Sequence, residues 1–173
     1  KRLILEYKKA VETLSVKNNQ YIIVRPRPVE DANTYKKMFD SFDNINVYPE
    51  GSVRKFIKQA KAVIHTGSTA GVESQIMGVP TLLFNPVEEY NIDNMTASAG
   101  TKCENLSELT SIIDIIDNSS ESSQIAKNIS EEIKNQIYNI KENSFWVTDQ
   151  ILPVEEQYST HKTRKGRKII IQA

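Results

Sequence analysis

The chain has 173 residues, and its 22 Lys and Arg balance its 22 Asp and Glu, so the formal charge is zero. That length suits one domain, and 39% hydrophobic and 25% charged residues exclude global disorder. Zero net charge argues against a broad basic face for nucleic acid, no stretch reaches the roughly 20 apolar residues of a bilayer span, and one cysteine, Cys103, excludes an internal disulfide or a multi-cysteine zinc site. No secretory signal is seen. The chain opens at Lys1 inside a helical pattern, which predicts a cytoplasmic-type fragment of something larger.

Leu3, Ile4, Tyr7, Ala10, Val11 and Leu14 recur at helical spacing over residues 1–18. Tyr21-Ile-Ile-Val24 predicts a buried strand, stopped by Arg25-Pro-Arg-Pro28 because proline has no amide to donate. A helix over 30–42, a strand at 46–48 and a helix opened by Ser52 follow. Ala62-Val-Ile64 predicts a third strand, broken at His65-Thr-Gly-Ser-Thr69. The next helix, through Val72, Ile76 and Met77, ends at Gly78. Thr81-Leu-Leu-Phe84 predicts a fourth strand and Thr101-Lys-Cys103 a fifth at a sheet edge, with residues 87–100 irregular or weakly helical. Asn105-Leu-Ser-Glu108 has the form of a capping box before Leu109, Ile112, Ile113 and Ile116. A long helix is expected to about Asn143 and a short one over 145–152, where Phe145 and Trp146 are packing anchors. Residues 1–152 thus form an α/β domain, Rossmann-like, with a parallel sheet flanked by helices. Residues 153–173 are expected to be a flexible polar tail, basic over 161–168, with Ile169-Ile-Ile171 too short to anchor anything.

Open parallel sheets bind ligands beyond the carboxyl ends of their strands. Those ends carry Arg25 and Arg27, then Tyr48 and Glu50, then His65 to Thr69. Arg25 and Arg27 are expected to point to opposite sides, so that one reaches a ligand. Gly67 permits a tight strand-to-helix turn. Ser68 and Thr69 then open a helix where free amides and hydroxyls favour a phosphate. Glu73, one turn on, is placed to accept from ribose hydroxyls, or is a surface residue beside an ordinary Ser68 cap. His65 either donates to a phosphate or orients the turn. The two histidines present, His65 and His161, form no metal-ligand cluster and no Ser-His-Asp order.

Three segments in order, residues 24–31, 50–54 and 65–80, with Glu73-x4-Gly78-x-Pro80 in the last, resemble the carboxy-terminal, donor-binding domain of GT-B glycosyltransferases, most closely those of bacterial capsule or lipopolysaccharide biosynthesis. The resemblance implies one half of a GT-B architecture, its amino-terminal domain missing from this chain, that moves a sugar from a nucleotide-sugar, possibly CMP-linked, to a glycan acceptor that can be lipid-linked. It implies that Glu73 holds the ribose, that Ser68 and Thr69 hold the phosphate, and that the loop from Tyr48 through Glu50 to Ser52 faces the base through backbone groups. Arg27 or His65 would stabilise the leaving group without a metal or other cofactor. Arg27-Pro28 stands where CMP-sugar enzymes carry His-Pro, which keeps a cation but removes a titrating group. Without the missing domain the fragment is expected not to turn over. The basic run at 161–168 would suit anionic lipid headgroups at the inner face of the membrane. The competing readings are a sugar-nucleotide epimerase or hydrolase and a non-catalytic nucleotide- or partner-binding module. A flavodoxin-like domain is disfavoured because Arg25-Pro-Arg-Pro28 replaces its first phosphate loop.

Overall fold

A computed structural model describes residues 2–17, 20–87, 92, 94–118 and 168–172. Helix α1 (Arg2–Lys17) leads to β1 (Tyr21–Arg25), α2 (Ala32–Met38), β2 (Ile45–Val47), α3 (Val53–Ile57) and β3 (Ala62–His65). Then come α4 (Thr69–Ile76), β4 (Thr81–Phe84), α5 (Asn94–Ala97), β5 (Thr101–Cys103), α6 (Leu106–Asn118) and β6 (Lys168–Gln172). The six strands make one parallel sheet in the order β2-β1-β6-β3-β4-β5. The five expected strands are therefore present, and β5 lies at the edge as expected. The predicted helices beyond Ser123, with Phe145 and Trp146, lie outside the described residues.

Strand alternation divides the core into two layers. Ile22, Val24, Ala62, Ile64, Leu82 and Phe84 face one side, with Tyr7, Val11 and Leu14 of α1, Tyr35 of α2, and Leu109, Ile113 and Ile116 of α6. Ile23 and Val63 face the other, where they meet Ile57 and Phe56 of α3 and Met77 at the end of α4. Burial on both faces is why these strands read as unbroken apolar runs.

The last strand corrects the expectation of a flexible tail through residue 173. Lys168–Gln172 is inserted between β1 and β3 at the centre of the sheet, with Tyr21 opposite Lys168 and Arg25 opposite Gln172 on one side, and Ala62 opposite Ile169 and His65 opposite Gln172 on the other. Ile169 and Ile171 are fully buried in the larger core layer. Three consecutive β-branched residues suit a strand covered on both faces, and the basic run before them masks that signal in the sequence. Residues 153–167 lie outside the described set.

The order of the strands has a consequence for ligand binding. From β1 the chain steps outward to β2, crosses to β3 on the far side of β6, and then steps outward again to β4 and β5. The direction of winding thus reverses around β6, and the loops leaving β1 and β3 diverge at that point.

Two local details follow the sequence closely. The expected capping box forms in a variant: the Glu108 amide donates to Asn105 Oδ1 at 3.0 Å, but Glu108 accepts in return from the Asn105 side-chain amide at 2.7 Å and from the backbone amide of Glu104 at 2.8 Å. Gly78, with φ 71°, follows α4 as its stop. Among the described residues no helix is long and apolar enough to cross a membrane.

Candidate functional site at the carboxyl edge

The carboxyl ends of β1, β2 and β3 bring the predicted residues to one edge, where they separate into three groups. The first is built around Arg25. Its side chain is buried, with Nη1 donating to the carbonyls of Tyr48 at 2.7 Å and Glu50 at 2.5 Å, and Nη2 to that of Gly51 at 2.7 Å. Its guanidinium lies 4.8 Å from the centre of the Phe56 ring, a cation–π contact. Burial lowers its pKa from the usual arginine value. Arg25 is therefore a brace for the 48–51 loop, which corrects its assignment as a ligand contact. The same bonds occupy the backbone carbonyls that this loop was expected to offer a base. Tyr48 packs its ring against Phe56, centroids 5.5 Å apart, and its hydroxyl is hydrogen-bonded with Tyr21, whose own pKa is pushed up to about 12 by burial and then by Tyr48. Glu50 and Ser52 are exposed. Ser52 stands at the cap of α3 without making a capping bond.

The second group is the turn from β3 into α4. His65 is fully buried. Its Nε2 meets the Ala99 carbonyl at 2.6 Å, and its Nδ1 accepts from the amides of Gly67 and Ser68, each at 3.2 Å. This pattern requires the neutral Nε2–H tautomer. Burial lowers the pKa to about 4; the bond to Ala99 works against that shift, and the charge of Arg27 adds to it. A neutral ring with both nitrogens engaged cannot stabilise a departing phosphate, so the leaving-group role expected for His65 is replaced by the other one considered: it orients the turn. Gly67 has φ 84°, and a β-carbon there would come 2.6 Å from Cγ2 of Ile92, whose side chain covers it.

The amides at the start of α4 are largely spent within the protein. Those of Gly67 and Ser68 go to His65, that of Ala70 to the Ser68 hydroxyl at 3.2 Å, and that of Gly71 to the Ser68 carbonyl at 2.9 Å. Ser68 is thus a buried helix cap with its hydroxyl taken up inside the turn, whereas Thr69, the other residue expected at a phosphate, is exposed. Among the described residues, Thr69 has the one amide of these five without such a bond. Glu73 projects from the next turn. Its Oε2 accepts from Arg54 Nε of α3 at 2.7 Å, with the two side chains 28% and 54% exposed. Arg54 lies in a motif segment but carries no signal of its own: it is 19 positions from Glu73, too far for any local pattern to show that α3 and α4 lie side by side.

The third group lies on the opposite face of the sheet. The chain leaves β1 at Pro26, and Arg27 turns away from Arg25 into a cleft between α1 and α2 with a cavity volume of about 70 Å³. The two arginines do point to opposite sides. Glu30 fixes the Arg27 turn, its Oε2 accepting the Arg27 amide at 2.7 Å and its Oε1 the Tyr35 hydroxyl at 3.0 Å. Burial, followed by the Glu30 hydrogen bond and charge, raises the Tyr35 pKa. Thr66, next to His65 in sequence, alternates onto this side and lines the cleft with Ile171 of β6.

Compared with protein-family models, curated proteins and solved structures, the chain matches none.

Proposed function

We propose that this chain is a nucleotide-sugar-binding module, the donor half of a glycosyltransferase that builds a surface polysaccharide on the cytoplasmic side of a bacterial membrane. The observation that carries the reading is the Arg54–Glu73 pair, half exposed beside the Gly67 turn at the carboxyl edge. Among the described residues Arg54 meets Glu73 through Oε2, and Oε1 would accept from the vicinal hydroxyls of a ribose. The Thr69 amide and hydroxyl, with the remaining donors of Arg54, suit the phosphate that follows. His65 and Arg25 contribute by holding the two flanking loops.

In this reading the bond from the sugar's anomeric carbon to the phosphate oxygen breaks, and a bond to an acceptor hydroxyl oxygen forms. The cations at the edge favour the departing phosphate, and the bound geometry orients the donor. The acceptor, and a base to take its proton, would come from a partner domain.

The test is a thermal-shift screen with CMP, UDP, GDP and their sugars. A ligand at 100 times its dissociation constant stabilises by about 2.7 kcal/mol. Glu73→Gln should lose most of that gain while keeping the melting temperature of the free protein. A second reading, a non-catalytic α/β module, is favoured by the internal use of the α4 amides and by Ile92 over Gly67. It becomes the better one if no nucleotide shifts the melting curve, or if Glu73→Gln binds as tightly as the parent.

A further inference from the structure

We propose that the cleft between α1 and α2 is a separate ligand site, for a small amphiphilic anion that joins a phosphate or carboxylate to an apolar chain. It uses none of the residues that the proposed function gives to the nucleotide-sugar; Arg27, which the resemblance implied as a leaving-group cation, lines this cleft instead.

Position is the first argument. The cleft lies over the ends of β1, β6 and β3, represented by Val24, Ile171 and Thr66. These are the strands around which the winding of the sheet reverses, and open parallel sheets bind ligands at that place. Helix α1 packs on β1 and α6 while α2 packs on β2, and the cleft lies between the two helices.

Chemistry is the second argument. Both helices run from the carboxyl edge toward the opposite edge, each lying antiparallel to β1. The depth is apolar, formed by Val11, Met38, Phe39, Val24 and Ile171. Two cations, Arg27 and Lys8, and one carboxylate, Glu30, also line the cleft. Both oxygens of Glu30 already accept, one from the Arg27 amide and one from the Tyr35 hydroxyl. The carboxylate therefore holds the loop that carries Arg27, and Arg27 is the cation an anion would meet first, since Lys8 is paired with Glu12 at 3.5 Å. The hydroxyls on the lining are those of Thr66, Tyr7 and Tyr35, and that of Tyr35 is already given to Glu30, so a ligand rich in hydroxyls would find few partners for the water it loses. A chain in the depth with an anion at Arg27 satisfies both halves. Ile4, which lines the cleft, is 42% exposed, so apolar surface continues out of the cleft to solvent.

The experiment is isothermal titration of the full chain with octyl phosphate, inorganic phosphate and octyl glucoside. Octyl phosphate should bind at least about tenfold more tightly than either of the others, because each control lacks one half of the ligand. Arg27→Gln should weaken octyl phosphate about tenfold and leave octyl glucoside unchanged, and Lys8→Gln should weaken it less. Met38→Trp, which fills the depth, should abolish binding. The two charge variants stand on the surface side of the cleft and test the idea even if the filled variant does not fold. No binding of octyl phosphate, equal binding of inorganic phosphate, or unchanged affinity in Arg27→Gln would each overturn the proposal. Saturating UDP or CMP should not displace octyl phosphate; displacement would place both in one site and overturn the claim of separateness, whereas failure of nucleotides to bind at all leaves this site standing.

Discussion

A β-carbon placed on Gly71 would overlap the imidazole of His65, because α4 crosses the end of β3 with no gap between them. Gly71→Ala should therefore force the helix or the ring to move, at a cost of about 1–3 kcal/mol. Urea titration monitored by circular dichroism measures it. A variant as stable as the parent would mean that α4 does not rest on His65.

The same histidine sets a pH dependence. An unfolded His binds its proton near 6.5, whereas burial lowers the folded value to about 4. Between those values the unfolded state holds more protons, so stability falls as pH falls. The contribution is complete above about pH 6.5 and absent below about 4, on the order of 3 kcal/mol in all. His65→Gln should flatten the difference between stability at pH 7 and at pH 4.5, beyond whatever the carboxylates contribute. Parallel curves for the parent and the variant would contradict the buried neutral ring.

Arg25→Leu should leave three carbonyls of the 48–51 loop without their donor. Hydrogen bonds to a charged group are worth about 1.5–3 kcal/mol each, and hydration of the loosened loop recovers part of that loss. The net expectation is a destabilisation of about 3 kcal/mol together with faster amide hydrogen exchange at residues 48–52. Arg25→Lys should restore only part of the stability, because an ammonium cannot reach three carbonyls in a fork. Unchanged exchange in the loop would refute the bracing role.

Ile171→Ala tests the central strand. The residue is 1% exposed and packs in the larger core layer, where such truncations cost about 2–5 kcal/mol. A loss under about 0.5 kcal/mol, typical of surface substitutions, would show that Lys168–Gln172 does not occupy the slot between β1 and β3.

The sequence by itself determined the element types and their order. Tyr21-Ile-Ile-Val24, Ala62-Val-Ile64 and Thr81-Leu-Leu-Phe84 are legible because side-chain periodicity and proline or glycine stops are local properties of the chain. That order of elements was enough to predict a parallel sheet and the edge where Arg25, His65 and Glu73 gather. Only the tertiary structure decided what those residues do. The carbonyls bound by Arg25 lie 23 to 26 positions away and the one bound by His65 lies 34 away, across crossovers whose packing no local pattern encodes. The place of β6 is the extreme case: Lys168–Gln172 enters between strands laid down more than 100 residues earlier. What draws it there is the buried slot that β1 and β3 leave between them, a property of the assembled sheet and not of five residues.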